Sequence, residues 1–262
     1  LVPVVFNLVV LREEAVSAPD LNDMTHHESM VRWSTERIDA GENPFDGWYS
    51  DMTLGQPQFS YSHYLSYRMA GLFGSFVSVE AATKWALFLL LALAPLSFYA
   101  GAKLFGLHRW AAAGSALVSP LMVSASAYGW EHGSFIWRGY GMWTMLWGIT
   151  LLPLTLGLSG RAVVDRRGSV VAGAAVGLVV GMHFLAGYLA LMALPLWVLV
   201  GSPRDWLRRG GRALTVAGVA AGASVWAWFP LLTQGGRLGG VDEGLEGQFW
   251  ADSYGARQVM RW

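Results

Sequence analysis

The chain has 262 residues, no net formal charge, no cysteine, 54% hydrophobic residues and only 14% charged ones. A soluble domain carries about 25% charged residues, so this deficit, with a mean hydropathy of +0.38, favours an integral membrane protein. Zero net charge gives no support to a nucleic-acid partner, and the lack of cysteine excludes a disulfide framework and thiolate metal ligation. Fourteen Trp and 32 Gly agree, since Trp collects at membrane interfaces and Gly is commoner in membrane helices than in soluble ones.

In chain order, an apolar run at 1–11 is too short to cross a bilayer, which needs roughly 20 residues. It reads as the end of a first transmembrane helix, and the chain as an internal piece of a longer membrane protein. No basic stretch precedes the run, which argues against a signal peptide. A hydrophilic loop, 12–81, follows. Thr25-His26-His27-Glu28 has the spacing of a capping box and predicts a helix to Ala40, stopped by Gly41 with Pro44 beyond. Met30, Val31, Ser34 and Ile38 give that helix a weakly apolar face, while Arg32, Glu36 and Asp39 point elsewhere, as suits a helix on a membrane surface. Turn signals fill Gly41 to Pro57. Tyr61, Tyr64, Leu65, Met69 and Leu72 then recur at helical spacing and predict a second interfacial helix from about Ser60.

The bundle is expected at 82–232. Spans are read at 82–105, 110–127, 137–158 and 213–232. The apolar run 170–200 is too long for one ordinary span, and Gly181, His183 and Gly187 at its middle split it into two short helices joined by a tight turn. Charge supports the split. With it, Lys103, Arg109, Arg161, Arg166, Arg167, Arg204, Arg208, Arg209 and Arg212 fall in loops on one side: nine of the 18 basic residues, against only Asp165 and Asp205 of the 18 acids. Basic loops stay cytoplasmic. The loop 12–81, the loop 128–138, the His183 turn and the segment 233–262 are therefore expected outside together. The fold class is all-α, a polytopic transmembrane bundle with a long first extracytoplasmic loop carrying interfacial helices.

The chemistry-bearing residues gather on that outer side. Asp20, Asp23, His26, His27 and Glu28 form the densest ionisable cluster, and ionisable clusters at a membrane edge are functional candidates because charge beside hydrocarbon is costly. Glu131, His132, Arg138 and His183 join them from other loops. A carboxylate there serves as a general base, and Arg or His neutralises a phosphate. Each has a plainer alternative. Asp23 also suits a helix cap, His26 and His27 suit interface packing, Glu131 and His132 suit a polar loop tip, and His183 suits a structural hydrogen bond. No close zinc spacing, phosphate loop or dinucleotide pattern occurs, so no metal site and no cofactor is assigned, and a divalent metal finds no motif.

An apolar helix, Asp23-x-x-x-His27, a Gly41-x-x-Pro44 turn, Leu54-Gly-Gln-Pro-Gln-Phe-Ser-Tyr61, His183 in a helix break and Trp228-Phe-Pro-Leu-Leu232 together resemble the polytopic bacterial membrane proteins labelled "6-pyruvoyl-tetrahydropterin synthase-related". Those proteins look like the GT-C superfamily of glycosyltransferases. The pterin part of the label finds no counterpart in a chain built of membrane spans. The resemblance implies a GT-C-like fold and transfer of a sugar from a polyprenyl-phosphate donor to a glycan or lipid acceptor at the outer face of the cell membrane. It implies Asp23 as the acceptor-activating base, Asp20 as second choice, and His26, His27, Glu131, His132, Arg138 and His183 around the donor phosphate. Its partners would be the lipid-linked donor, the acceptor and membrane lipids. Two other classes remain open: a transporter or lipid flippase, and a non-catalytic membrane scaffold with an exported loop.

Overall fold

A computed structural model describes residues 1–16, 23–45, 47–50, 56–57, 64–121, 143–200 and 202–234, without the side chains of Asp23, Gln56, Pro57, Tyr64, Leu231 and Gln234. The fold is predominantly helical. In chain order the α-helices are α1 (Val2–Val10), α2 (Asp23–Asp39), α3 (Tyr64–Gly74), α4 (Val79–Leu104), α5 (Arg109–Val118), α6 (Trp143–Asp165), α7 (Ser169–Met182), α8 (Phe184–Leu199), α9 (Trp206–Ala223) and α10 (Val225–Gln234). Short 3-10 turns cover Arg12–Ala15, Ser119–Leu121 and Pro203–Asp205. Two-residue strands β1 (Trp48–Tyr49) and β2 (Gln56–Pro57) pair antiparallel, Trp48 opposite Pro57 and Tyr49 opposite Gln56.

Among the described residues, α4 and α6 are long and apolar enough to cross a membrane. They become three if α8 and the segment Pro203–Ala223, bent by 119°, count as one broken span. α4 and α6 form the centre and run parallel. A Cβ on Gly101 would overlap the Pro153 carbonyl oxygen, and one on Gly157 would sit 2.7 Å from that of Gly101. The two backbones therefore touch, which only glycine permits at these positions.

Prolines inside these helices explain the polar ties between them. Pro95 has no N–H to give, so the Leu91 carbonyl one turn back loses its helical partner. The buried Asn7 of α1 donates its side-chain amide to that carbonyl at 3.1 Å. Near Pro153 in α6, the Leu154 N–H donates to Ser97 Oγ of α4 at 3.2 Å. Ser78 caps α4, its Oγ accepting from the Ala81 N–H at 3.1 Å, as an N-cap serine does.

The run 170–200 is two helices. α7 ends at Met182, His183 takes an extended conformation, and α8 starts at Phe184. The pair folds back as a hairpin. A Cβ on Gly187 would meet Val180 Cα at 2.7 Å, too close for a straight continuation, in which residues seven apart are about 10.5 Å apart along the axis. Gly148 of α6 faces Ala186 and His183, while Gly160 faces Trp197, so α8 returns alongside α6. α9 then packs on α7, with Gly173 against Val216 and Val219 and Gly177 against Ala220 and Ala223.

The connections thus collect at two ends. Arg166, Arg167, Arg204, Arg208, Arg209 and Arg212 lie at the end where α6 and α8 finish and α7 and α9 begin. His183, Ser224 and the start of α6 lie at the opposite end, together with α2 and α3. There Leu11, Met24, Met30, Val31, Trp33, Tyr67, Leu87, Trp143 and Met182 share one buried core.

Several local expectations change. α2 begins at Asp23, so Thr25 lies inside the helix and forms no capping box; Glu28 reaches forward to Arg32 instead, at 3.0 Å. The Gly41 stop holds, with φ at 70°. α2 buries more than its apolar stripe, because α3 and α4 cover it: His27, Trp33 and Thr35 are buried as well. α3 turns part of its apolar stripe outward, as suits an interfacial helix. Met69 and Leu72 are exposed while Ser66, Tyr67 and Arg68 are buried, since Gly71 and Gly74 must face Ser34 and Thr35 for the α2–α3 backbones to approach. Residues Ser60 to His63, where that helix was expected to begin, lie outside the described ones. α6 runs past Leu158 to Asp165 and absorbs Arg161, and α9 starts at Trp206 and absorbs Arg208, Arg209 and Arg212. The stretch read as a span at 213–232 breaks at Ser224. Of 110–127, only a helix to Val118 and a turn to Leu121 are described.

Candidate functional site

The end of the bundle opposite the arginines holds the described part of the expected site. His27, one turn into α2, faces inward. Its Nδ1 is 2.7 Å from the Tyr67 hydroxyl, with donor and acceptor set by the imidazole tautomer. The ring lies against Tyr67 and Trp143, with centroids 5.7 and 5.8 Å away, and Tyr67 and Trp143 stack on each other at 5.8 Å. Trp143 is fully buried. This aromatic box fixes the imidazole orientation. Burial pushes the Tyr67 hydroxyl well above the ordinary tyrosine range, with the Arg68 charge working against burial and Tyr49 adding to it. Tyr67 is therefore a neutral hydroxyl at physiological pH.

His26 is half-buried, its ring edge-on to Tyr49 at 6.4 Å, and Tyr49 O–H meets Ser29 Oγ at 2.6 Å. Arg68 packs its guanidinium over Trp33 at 5.1 Å and over Phe45 at 5.6 Å. Arg37 covers Trp33 at 5.0 Å and ties down the turn after α2, donating to the Asn43 carbonyl at 2.9 Å and pairing with Glu42 at 2.8 Å. Cation–π stacking of this kind stabilises desolvated guanidinium groups.

Two more charges are buried at this end. Glu14, in the turn after α1, and Lys84, in the second turn of α4, are each 1% exposed, and that turn packs on α4. Burying a carboxylate, an ammonium and a guanidinium in a chain with so few charges is costly without compensation. Sequence reasoning passed over Glu14, Tyr67, Arg68 and Lys84. A signal existed for Lys84, a charge two residues into the 82–105 apolar run, and for Glu14, just after the first one. For Tyr67 and Arg68 there was none, because the apolar spacing of α3 suggested the opposite face.

Asp23 is the first residue of α2. His183 lies at the hairpin break beside Gly148, its Cβ within 3.3 Å of where a Gly148 Cβ would be. His27 touches Trp143, so both histidines sit against the first two turns of α6. Asp20, Glu131, His132 and Arg138 lie outside the described residues, as do Asp51 and the acids after Leu232. No group of three metal-ligating side chains occurs among the described residues. No family model, curated protein or solved structure matches the chain.

Proposed function

We propose that the chain belongs to a multi-pass membrane protein that transfers a sugar from a polyprenyl-phosphate donor to an acceptor hydroxyl at the extracytoplasmic face, on a GT-C-like fold. The observation that carries this reading is the convergence of buried ionisable groups from four elements, Glu14, His27, Arg68 and Lys84, at the end of the bundle where α2 starts with Asp23. Arg166, Arg167, Arg204, Arg208, Arg209 and Arg212 lie at the other end, and because basic loops tend to stay cytoplasmic they support a reading with the ionisable end outside. In the proposed reaction the Asp23 carboxylate takes the acceptor hydroxyl proton. The acceptor oxygen bonds to the sugar anomeric carbon, the bond from that carbon to phosphate oxygen breaks, and polyprenyl phosphate leaves. Cationic groups nearby offset the negative charge that grows on the departing phosphate.

The test is an assay of the protein in membranes with a panel of radiolabelled polyprenyl-phosphate sugars, comparing wild type with Asp23→Asn. Asn keeps the size and caps a helix about as well as Asp, but it cannot take the proton. General-base catalysis contributes roughly 10²–10⁴-fold, so transfer should fall by that order with unchanged expression and melting, while Asp20→Asn and Glu28→Gln cost less. Wild-type transfer by Asp23→Asn removes it as the base, and joint loss of stability and activity assigns it to the helix cap.

A second reading, a transporter or lipid flippase, is favoured by the broken hairpin. Helices of 14 and 16 residues meet at His183, and transporters also place polar groups at helix breaks, although this break lies at an end of the bundle. Substrate flux into liposomes without covalent product would select it.

A further inference from the structure

We propose that the arginine end of the bundle is a binding surface for anionic phospholipid headgroups, built from Arg166 and Arg167 after α6 and from Arg208, Arg209 and Arg212 on the first two turns of α9. Arg212 draws the two segments together, its Nη1 donating to the Val163 carbonyl and, at 3.0 Å, to that of Val164. Those carbonyls end α6, where cations are favoured by the helix dipole. Arg208, Arg209 and Arg212 share the first two turns of α9, and the reach of Arg212 to the end of α6 brings them beside Arg166 and Arg167. Among the described residues none of the five arginines forms an ion pair. One Arg209 Nη1 is buried with no hydrogen-bond partner among them. Asp165 and Asp205 are the acids nearby in sequence, so the patch keeps an excess of positive charge.

The surroundings select a lipid rather than a dissolved anion. Leu207 is 90% exposed between Trp206 and Arg208, and Val170 and Val171 at the start of α7 are 66% and 58% exposed. Apolar side chains interleaved with guanidiniums at the end of apolar helices match the boundary between headgroup phosphate and acyl chain. Arginine forks bind phosphodiester oxygens in a bidentate manner. Arg166 stands at φ 63°, the one non-glycine residue with positive φ among those described. A left-handed position after a helix is better filled by glycine, so this side chain is retained at a conformational cost.

The experiment compares the purified full chain in nanodiscs of phosphatidylcholine alone and of phosphatidylcholine with one-fifth phosphatidylglycerol, reading co-purified lipid by native mass spectrometry. Wild type should enrich phosphatidylglycerol. The variant R166G/R208Q/R209Q should lose that enrichment on the order of 100-fold, about 1 kcal/mol per arginine converted at 1.4 kcal/mol per decade. Its helical content should be unchanged. If the triple variant does not fold, R166G alone, which relieves the backbone, should still lower enrichment about fivefold by the same conversion. Equal enrichment in wild type and a folded variant overturns the proposal, since arginines that only set topology leave lipid preference untouched. Full competition by millimolar glycerol 3-phosphate also overturns it, because the site would then take a free phosphate. The surface requires helices in a bilayer but not sugar transfer, so failure of the transfer assay leaves it standing.

Discussion

His27 and Tyr67 form a buried polar pair, and their burial sets a pH response. The Tyr67 hydroxyl is raised above its ordinary value by desolvation first. Above about pH 10 the unfolded chain ionises this group while the folded chain keeps the proton. The unfolded state then binds fewer protons, so the contribution of this group to stability is constant below about pH 10 and falls above it. Tyr67→Phe should abolish that alkaline slope in thermal melts. It should also cost about 1–3 kcal/mol at neutral pH, because the His27 Nδ1 loses its partner in a dry aromatic box. An alkaline limb identical in wild type and variant would show that another group controls it.

At the scale of elements, the contact between α1 and α4 turns on a proline. Pro95 leaves the Leu91 carbonyl without its helical donor, and Asn7 supplies one. Asn7→Leu should therefore destabilise the protein by about 1–3 kcal/mol in a Pro95 background. In a Pro95→Ala background the helix regains its own hydrogen bond, and the same change should cost much less. The two substitutions are coupled, and a double-mutant cycle measures the coupling directly; strict additivity would refute the link. Between α4 and α6, Gly101→Ala must move a backbone carbonyl, so a loss of about 1–3 kcal/mol is expected from overpacking. Gly114 of α5 has nothing within 4 Å of a built Cβ, and Gly114→Ala should be neutral or stabilise by up to about 1 kcal/mol through helix propensity. Melting in one detergent compares the two.

These elements also show where reading the sequence succeeds. The break at His183 was legible because a run of that length with glycines at its centre is awkward as one helix, and because the charge of the following segment demanded an even crossing. The Gly41 stop was legible from local chemistry alone. The inward face of α3 was not. Its apolar spacing marks the interfacial stripe, and Met69 and Leu72 are exposed, but the face that packs on α2 is made of small and polar residues, which carry no hydrophobic signal. Lys84 was overlooked because it is a single charge within an apolar stretch, and Glu14 because it reads as one of three consecutive charges, Arg12-Glu13-Glu14, at the start of a hydrophilic loop.

Over the whole molecule, two ends of opposite character frame one bundle. One end carries exposed arginines on the connections α6–α7 and α8–α9. The other carries the α2–α3 cap over buried His27, Arg68, Lys84 and Glu14. The proposed function requires these ends to lie on opposite sides of a membrane, with the capped end outside. Cysteine labelling tests this directly, and these 262 residues contain no cysteine of their own. Ser50 follows β1 at the capped end and is exposed, and Ser169 opens α7 at the arginine end. With an impermeant thiol reagent on intact cells, Ser50→Cys should label fully, and Ser169→Cys should label only after the membrane is permeabilised. Labelling of Ser169→Cys but not Ser50→Cys in intact cells would contradict the orientation and the outer-face site with it.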